Sequence, residues 1–142
     1  MHTVFSDGLV WPTVRVDEAY AEGLDAIAIT EHLEYRPHKA DIQADHNRSY
    51  EIMKKYAKDK GVIVIKGSEI TRSMAPGHHN AIFISDSNPL DTKEYKDAFR
   101  AAKSQGAFIF WNHPGWDSQA AGRKPNGGTN IHTCMKTDVC RE

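Results

Sequence analysis

His2-Thr3-Val4-Phe5-Ser6-Asp7-Gly8 opens the chain with a pattern that recurs along it. A histidine, a short apolar run and Ser-Asp-Gly set two metal-capable side chains at what reads as the end of a strand, with Val4 and Phe5 packing inward. Gly8 permits the sharp exit a strand needs before a loop. Similar groups recur at Thr30-Glu31-His32, Gly67-Ser68-Glu69, Pro76-Gly77-His78-His79-Asn80 and Asn112-His113-Pro114. Each follows an apolar, β-branched run, so each is expected where a strand ends. Histidines and carboxylates collected at successive strand ends suit a metal-assisted hydrolase built on parallel strands.

Outward from these groups the chain alternates strand and helix. Trp11-Pro12-Thr13 opens a helix through about Glu22, with Val14, Ala19 and Tyr20 as inward candidates and Gly23 as its stop. The run from Asp25 to Thr30 has the near-continuous apolar pattern of a strand buried on both faces, and so has Val62 to Ile65. Leu33 to Asp45 is polar, carries Pro37 and reads as a loop. His46 to Lys60 is helical, with Ile52, Met53, Tyr56 and Ala57 inward and Gly61 at its end. Ala81 to Ile84 is the next strand, Asp91 or Thr92 caps a helix through Gln105, and Ala107 to Trp111 closes the series. The alternation argues for a parallel α/β sheet or barrel.

With 142 residues the chain holds one domain at most, and a formal charge of -1 gives no electrostatic case for nucleic acid or lipid. No apolar run approaches a membrane span, and no basic-then-apolar signal opens the chain. The compartment stays at the cytoplasmic default, any export signal ahead of Met1 being outside this reading. Cys134 and Cys140 both fall in the tail, so the body is silent about redox environment. From about Gly122 the pattern breaks into turn-rich sequence without helical or strand period. The expected division is therefore a domain over 1–121 and an atypical tail over 122–142, either frame-shifted near Lys124 or disordered.

The order HTxxSDG, TEH, GxE, GHHN, NHP resembles the polymerase-and-histidinol-phosphatase (PHP) family of metal-dependent phosphoesterases, from Met1 to roughly Ser118. The spaced set is far more specific than any one member. The family's first motif is His-x-His, so Met1 stands as the x and the first histidine is absent. The closing Asp-x-His is missing too. The resemblance implies an α/β fold: a partial, distorted (β/α)7 TIM-like barrel, incomplete at both ends, with metals at the carboxyl ends of its strands.

It also implies two or three divalent ions (zinc, manganese or iron) and a small-molecule phosphate ester or nucleotide hydrolysed by metal-activated water. Carried over by motif, His2 is a first-site ligand and Asp7 serves the neighbouring site or its surroundings. His32 ligates the second ion, Glu69 is the bridge, and His78 and His113 complete a further site. Glu69, His32 and Asp7 are the expected catalytic set. Arg72 and Arg36 follow ligand clusters and are candidates to hold phosphate by paired hydrogen bonds, and Trp116 to wall a substrate pocket.

The plainer readings differ residue by residue. Asp7 serves equally well as a turn former before Gly8. Gly67 and Ser68 leave room for close approach of a site. Glu31 is as available to solvent as His32 and has no family role. His79 points away from His78 if the segment is extended. Trp111 reads as core, and Pro114 holds His113 out of helical geometry. His38, His46 and His132 read as solvent-exposed. A related metal-dependent amidohydrolase is the nearest chemical competitor, though the SDG and TEH details favour the phosphoesterase. A non-catalytic, metal- or phosphate-binding remnant is the alternative from another class. Oligomeric state has no signal in the sequence.

Overall fold

Proline at the first helical position and glycine beyond the last turn bound helix α1, Pro12–Ala21, where Gly23 takes the left-handed conformation at φ 71°. Its buried residues are Pro12, Val16 and Ala19, at the i, i+4, i+7 spacing of one face, whereas Val14 and Tyr20 turn to solvent. Strand β1, Ala26–Ile29, follows, then helix α2, Arg48–Ala57, and a single 3-10 turn over Lys58–Lys60. Next come β2 (Ile63–Ile70), β3 (His79–Ile82), helix α3 (Tyr95–Ser104) and β4 (Phe108–Trp111). The computed structural model describes residues 1–42, 44–73 and 76–113. Trp116, Pro114, His132, both cysteines and the 121/122 division lie outside the described residues.

The four strands form one sheet in the order β1-β2-β3-β4. β1 and β2 are parallel, pairing Ala26 with Ile63 through Ile29 with Lys66, but β3 is antiparallel to both β2 and β4. The expectation of a uniformly parallel sheet is corrected here. Only eight residues, 71–78, join β2 to β3, and a parallel return needs a crossover of about a dozen or more. The carboxyl ends of β1, β2 and β4 therefore share one edge of the sheet with the amino end of β3.

Several local expectations change with this layout. β2 runs through Gly67, Ser68 and Glu69 instead of stopping before them, and β3 starts two residues early, at His79. Helix α3 begins at Tyr95, after Glu94, so neither Asp91 nor Thr92 caps it. Residues 4–7 are turn, and the pairing of the N-terminal segment with β1 is by Thr30 N–H to the Met1 carbonyl at 3.0 Å. β1 is buried on alternate residues, whereas β2 is exposed to half-buried over Ile63 to Lys66 and buried on both faces only from Gly67 to Ile70.

The three helices cover one face of the sheet. Val16, Ala19, Ile27, Ile29, Met53, Ala57 and Val62 make one core cluster; Leu33, Ile70, Ala81, Ile84, Leu90, Ala98 and Ala102 make the other. On the opposite face Ile63 is 63% exposed and Phe108 60%. No described helix is long and apolar enough to cross a membrane. Away from the sheet edge, His46 is not simply solvated: its Nε2 lies 2.9 Å from Asp91.

Two glycines are required by space. A Cβ on Gly8 would sit 2.6 Å from the His2 carbonyl oxygen, so Gly8 lets the N-terminal segment fold back on its own backbone. A Cβ on Gly67 would lie 2.8 Å from the Ala81 carbonyl, so Gly67 admits β3, not a ligand. Gly67→Ala should cost about 1–3 kcal/mol through this backbone clash. Gly61→Ala, with open space around it and only a left-handed backbone to strain, should cost less than Gly67→Ala, about 1 kcal/mol. Urea denaturation midpoints check the order, and equal losses would contradict the packing of Gly67 against β3.

Candidate metal centre

The sheet edge collects the site. Beyond Ile29 the chain keeps parallel pairing with β2: Glu69 N–H donates to the Glu31 carbonyl at 2.9 Å and Leu33 N–H to the Glu69 carbonyl at 3.0 Å. A parallel bridge thereby sets His32 beside Glu69. Side chains alternate along extended backbone, so His32 turns toward the site and Glu31 away from it. On the far side of β2, the register pairs Glu69 with Asn80 and Ile70 with His79, which leaves His78 just before β3 at the same edge. Asn112 N–H donates to the His78 carbonyl at 2.9 Å and brings in the exit of β4, where His113 follows.

Glu69 is the centre. It is 1% exposed, and its carboxylate lies 3.4 Å from His2 Nε2, 3.2 Å from His32 Nδ1 and 3.0 Å from His78 Nδ1. Two triads share it: His2, His32 and Glu69, and Glu69, His78 and His113, each with donor atoms within 4.8 Å of one another. His2 stacks on His32 at 4.3 Å between ring centroids, and His78 meets His113 edge-on at 5.1 Å. Asp7 stands outside both triads, 3.4 Å from His32 Nε2 and on the open side.

Burial by itself pushes the Glu69 carboxyl upward, but hydrogen bonds from His2 and His32 and the charge on those rings outweigh it. The carboxyl is held far below its usual range. For His32 burial pulls downward, yet the bond and charge of Glu69, with the charges of Asp7 and Glu31, raise it above an ordinary histidine. His78 goes the other way: burial lowers it, and together with the positive fields of His113 and His32 outweighs the charge and hydrogen bond of Glu69, which raise it.

The donor chemistry fits a divalent ion. Imidazole nitrogens and a carboxylate are a zinc, manganese or iron set, and one buried carboxylate common to two triads has the disposition of a bridge. His2 Nδ1 is buried without a hydrogen-bond partner among the described residues. Thr71 Oγ1 lies 2.5 Å from His32 Nδ1 and orients the ring, which leaves Nε2 facing Asp7.

Other sequence candidates are placed elsewhere. Arg72 pairs with Glu34 at 2.9 Å and donates to the carbonyls of Thr92 and Lys93. Arg36 donates to the carbonyls of Phe5 and Ala44. Both are structural ties. His79 packs against Phe99 and Trp111 on the helix-covered face, and burial lowers it. His113 is out of helical geometry, but at φ 29° instead of in the extended region.

Sequence reasoning missed Thr71, Asn80 and Asn112. Asn112 Nδ2 donates to Glu69 Oε2 at 2.7 Å, and Asn112 Oδ1 accepts from Asn80 Nδ2 at 2.8 Å. Both asparagines lie inside quoted motifs, and their partners become visible only through strand register. It also misread Glu31. That carboxylate is buried, 6% exposed, and takes hydrogen bonds from the Thr3 amide, the Thr3 hydroxyl and the Ser6 hydroxyl.

In the metal-free chain, Glu69→Gln removes the charge that raises His32 while its burial remains. The His32 titration followed by imidazole NMR should therefore move to lower pH, and an unmoved titration would contradict the pairing.

No family model matches the sequence, and no curated protein does. Among solved structures, the chain is similar to the following two. One is a two-domain protein from Bacteroides vulgatus ATCC 8482, described as containing a predicted PHP-like metal-dependent phosphoesterase. It is 71% identical with a TM-score of 0.84, over 87% of this chain and 36% of that one. The other, from Bifidobacterium adolescentis ATCC 15703, is provisionally described as a metal-dependent phosphoesterase. At 24% identity and a TM-score of 0.50, over 68% of this chain and 30% of that one, it speaks for the fold alone. The chain thus spans about a third of each protein's length. With its motif order, its Glu69-centred triads and 71% identity to the Bacteroides protein, the chain is similar to the PHP-like metal-dependent phosphoesterases.

Proposed function

We propose that this chain carries much of the metal centre of a phosphoesterase, one that hydrolyses a phosphate ester of a small molecule or nucleotide. The observation that carries the reading is one buried carboxylate, Glu69, common to two histidine triads. In this reading His2 and His32 would hold one ion, His78 and His113 would hold a second, and Glu69 would serve both. Bound divalent ions would supply an activated water, orientation of the phosphate and neutralisation of developing charge.

The residues of the chain prepare that chemistry. Glu69 remains ionised at neutral pH, as a bridging ligand must. Thr71 and Asn112 fix the orientations of His32 and Glu69, so little reorganisation accompanies binding. Asp7, beside His32 Nε2 and open to solvent, is placed to ligate or to accept a proton at its Oδ1. Arg72, held by Glu34 and the 92–93 carbonyls, shapes the rim next to Thr71, and contact with substrate phosphate would require it to exchange those partners.

We also read the sheet as a sector of a distorted β/α barrel. Helices cover one face only, and the face bearing Ile63, Phe108 and Phe110 is apolar and uncovered, as an unclosed barrel interior would be. The same face carries Glu69 and Asn80, paired across to Phe110.

The test joins metal analysis to turnover of p-nitrophenyl phosphate, on this chain and on one extended to the length of the Bacteroides protein. The extended protein should hold two or three ions per chain and cleave the ester, and His32→Ala or Glu69→Ala should abolish both. An extended protein with neither metal nor turnover would leave a binding or scaffold role as the better account.

A further inference from the structure

Glu31 is buried next to a candidate ligand yet takes no part in either triad. Its side chain points away from His32 and Glu69, and its oxygens are taken by the N-terminal segment. Oε2 accepts from the Thr3 amide at 3.0 Å and from the Ser6 hydroxyl at 2.5 Å, while Oε1 accepts from the Thr3 hydroxyl. Thr3 adjoins His2 and Ser6 adjoins Asp7. One carboxylate therefore grips the residues beside both metal-capable groups of the segment.

The rest of the segment converges on the same geometry. Arg15 Nε donates to the His2 carbonyl at 3.1 Å, Val4 N–H to the Val10 carbonyl at 3.0 Å, and Gly8 lies against the His2–Thr3 backbone. Residues 4–7 are turn and the 2–7 segment has no strand pairing of its own, so side-chain anchors must do what a ladder does for Glu69. A carboxylate accepting from three donors is a strong, directional anchor; its replacement leaves buried donors unsatisfied.

We infer that Glu31 is a positioning residue: it fixes the 2–7 segment on the end of β1 and so presents His2 and Asp7 to the first ion. This rests on the metal-centre reading proposed above. The triad of Glu69, His78 and His113 is built on β2, β3 and β4 and does not involve the anchored segment. Loss of Glu31 should therefore weaken one ion and spare the other, a selectivity that a general loss of stability would not produce.

The test titrates manganese into the metal-free chain by calorimetry, for wild type, Glu31→Gln, Glu31→Ala and Glu31→Asp, alongside amide hydrogen exchange without metal. In Glu31→Gln and Glu31→Ala one ion should bind about 10–100-fold more weakly and the other as in wild type, with partial recovery in Glu31→Asp. The Thr3 and Val4 amides should lose protection while those of α3 keep theirs. Both ions weakened together, or both unchanged, would overturn the selective role. Unchanged exchange at Thr3 and Val4 in Glu31→Ala would overturn the anchor itself. A wild-type chain that takes up no manganese would instead sink the metal-centre reading, with the exchange arm still deciding whether Glu31 holds the segment.

Discussion

A carboxylate buried among histidines sits at the junction of all four strands' ends. Glu69 is nearly inaccessible to water, and an ionised side chain in that position is tolerated only where opposite charge and hydrogen bonds surround it. Its neighbours come from separate parts of the chain: His2 from the N-terminal segment, His32 beyond β1, His78 before β3 and Asn112 beyond β4. Holding them together fixes where each strand must end. The sheet edge is a consequence of that requirement as much as its cause.

The hairpin between β2 and β3 is what lets four strands serve one site. Had β3 run parallel to β2, His78 would lie at the far edge of the sheet, a strand length from Glu69. The eight-residue connection reverses the chain and returns His78 to the edge it left, and Gly67 gives β3 the space to pair closely. Of two successive histidines, alternation then sends His78 toward Glu69 and His79 against Phe99 and Trp111.

Helix stops and metal-capable residues were legible in the sequence because each has a local signature. Gly23, Gly61 and Gly106 all adopt the left-handed backbone expected of a residue ending a helix. The motif histidines and Glu69 stood out by residue type and by their place after apolar runs. What stayed hidden is non-local. Nothing in Gly67-Ser68-Glu69 tells that the strand continues through it, because the pairing that makes it strand comes from β1 and β3. Val14 and Tyr20 fit an apolar helix face, but the packing of α1 chose Val16 and Ala19. Glu31 looked like a solvated neighbour of His32, since its partners lie 25 and 28 residues away. Arg72 likewise reads as a phosphate clamp until Glu34 and two carbonyls are found around its guanidinium.

The most direct test of the centre is where ions sit. Crystals of the manganese- or zinc-loaded protein, measured at the absorption edge of that metal, locate each ion by its anomalous scattering. The account predicts two peaks flanking the Glu69 carboxylate, one beside His2 and His32 and the other beside His78 and His113, each about 2.0–2.3 Å from its ligand atoms. Peaks away from Glu69, or a loaded crystal with no peak at this sheet edge, would contradict it.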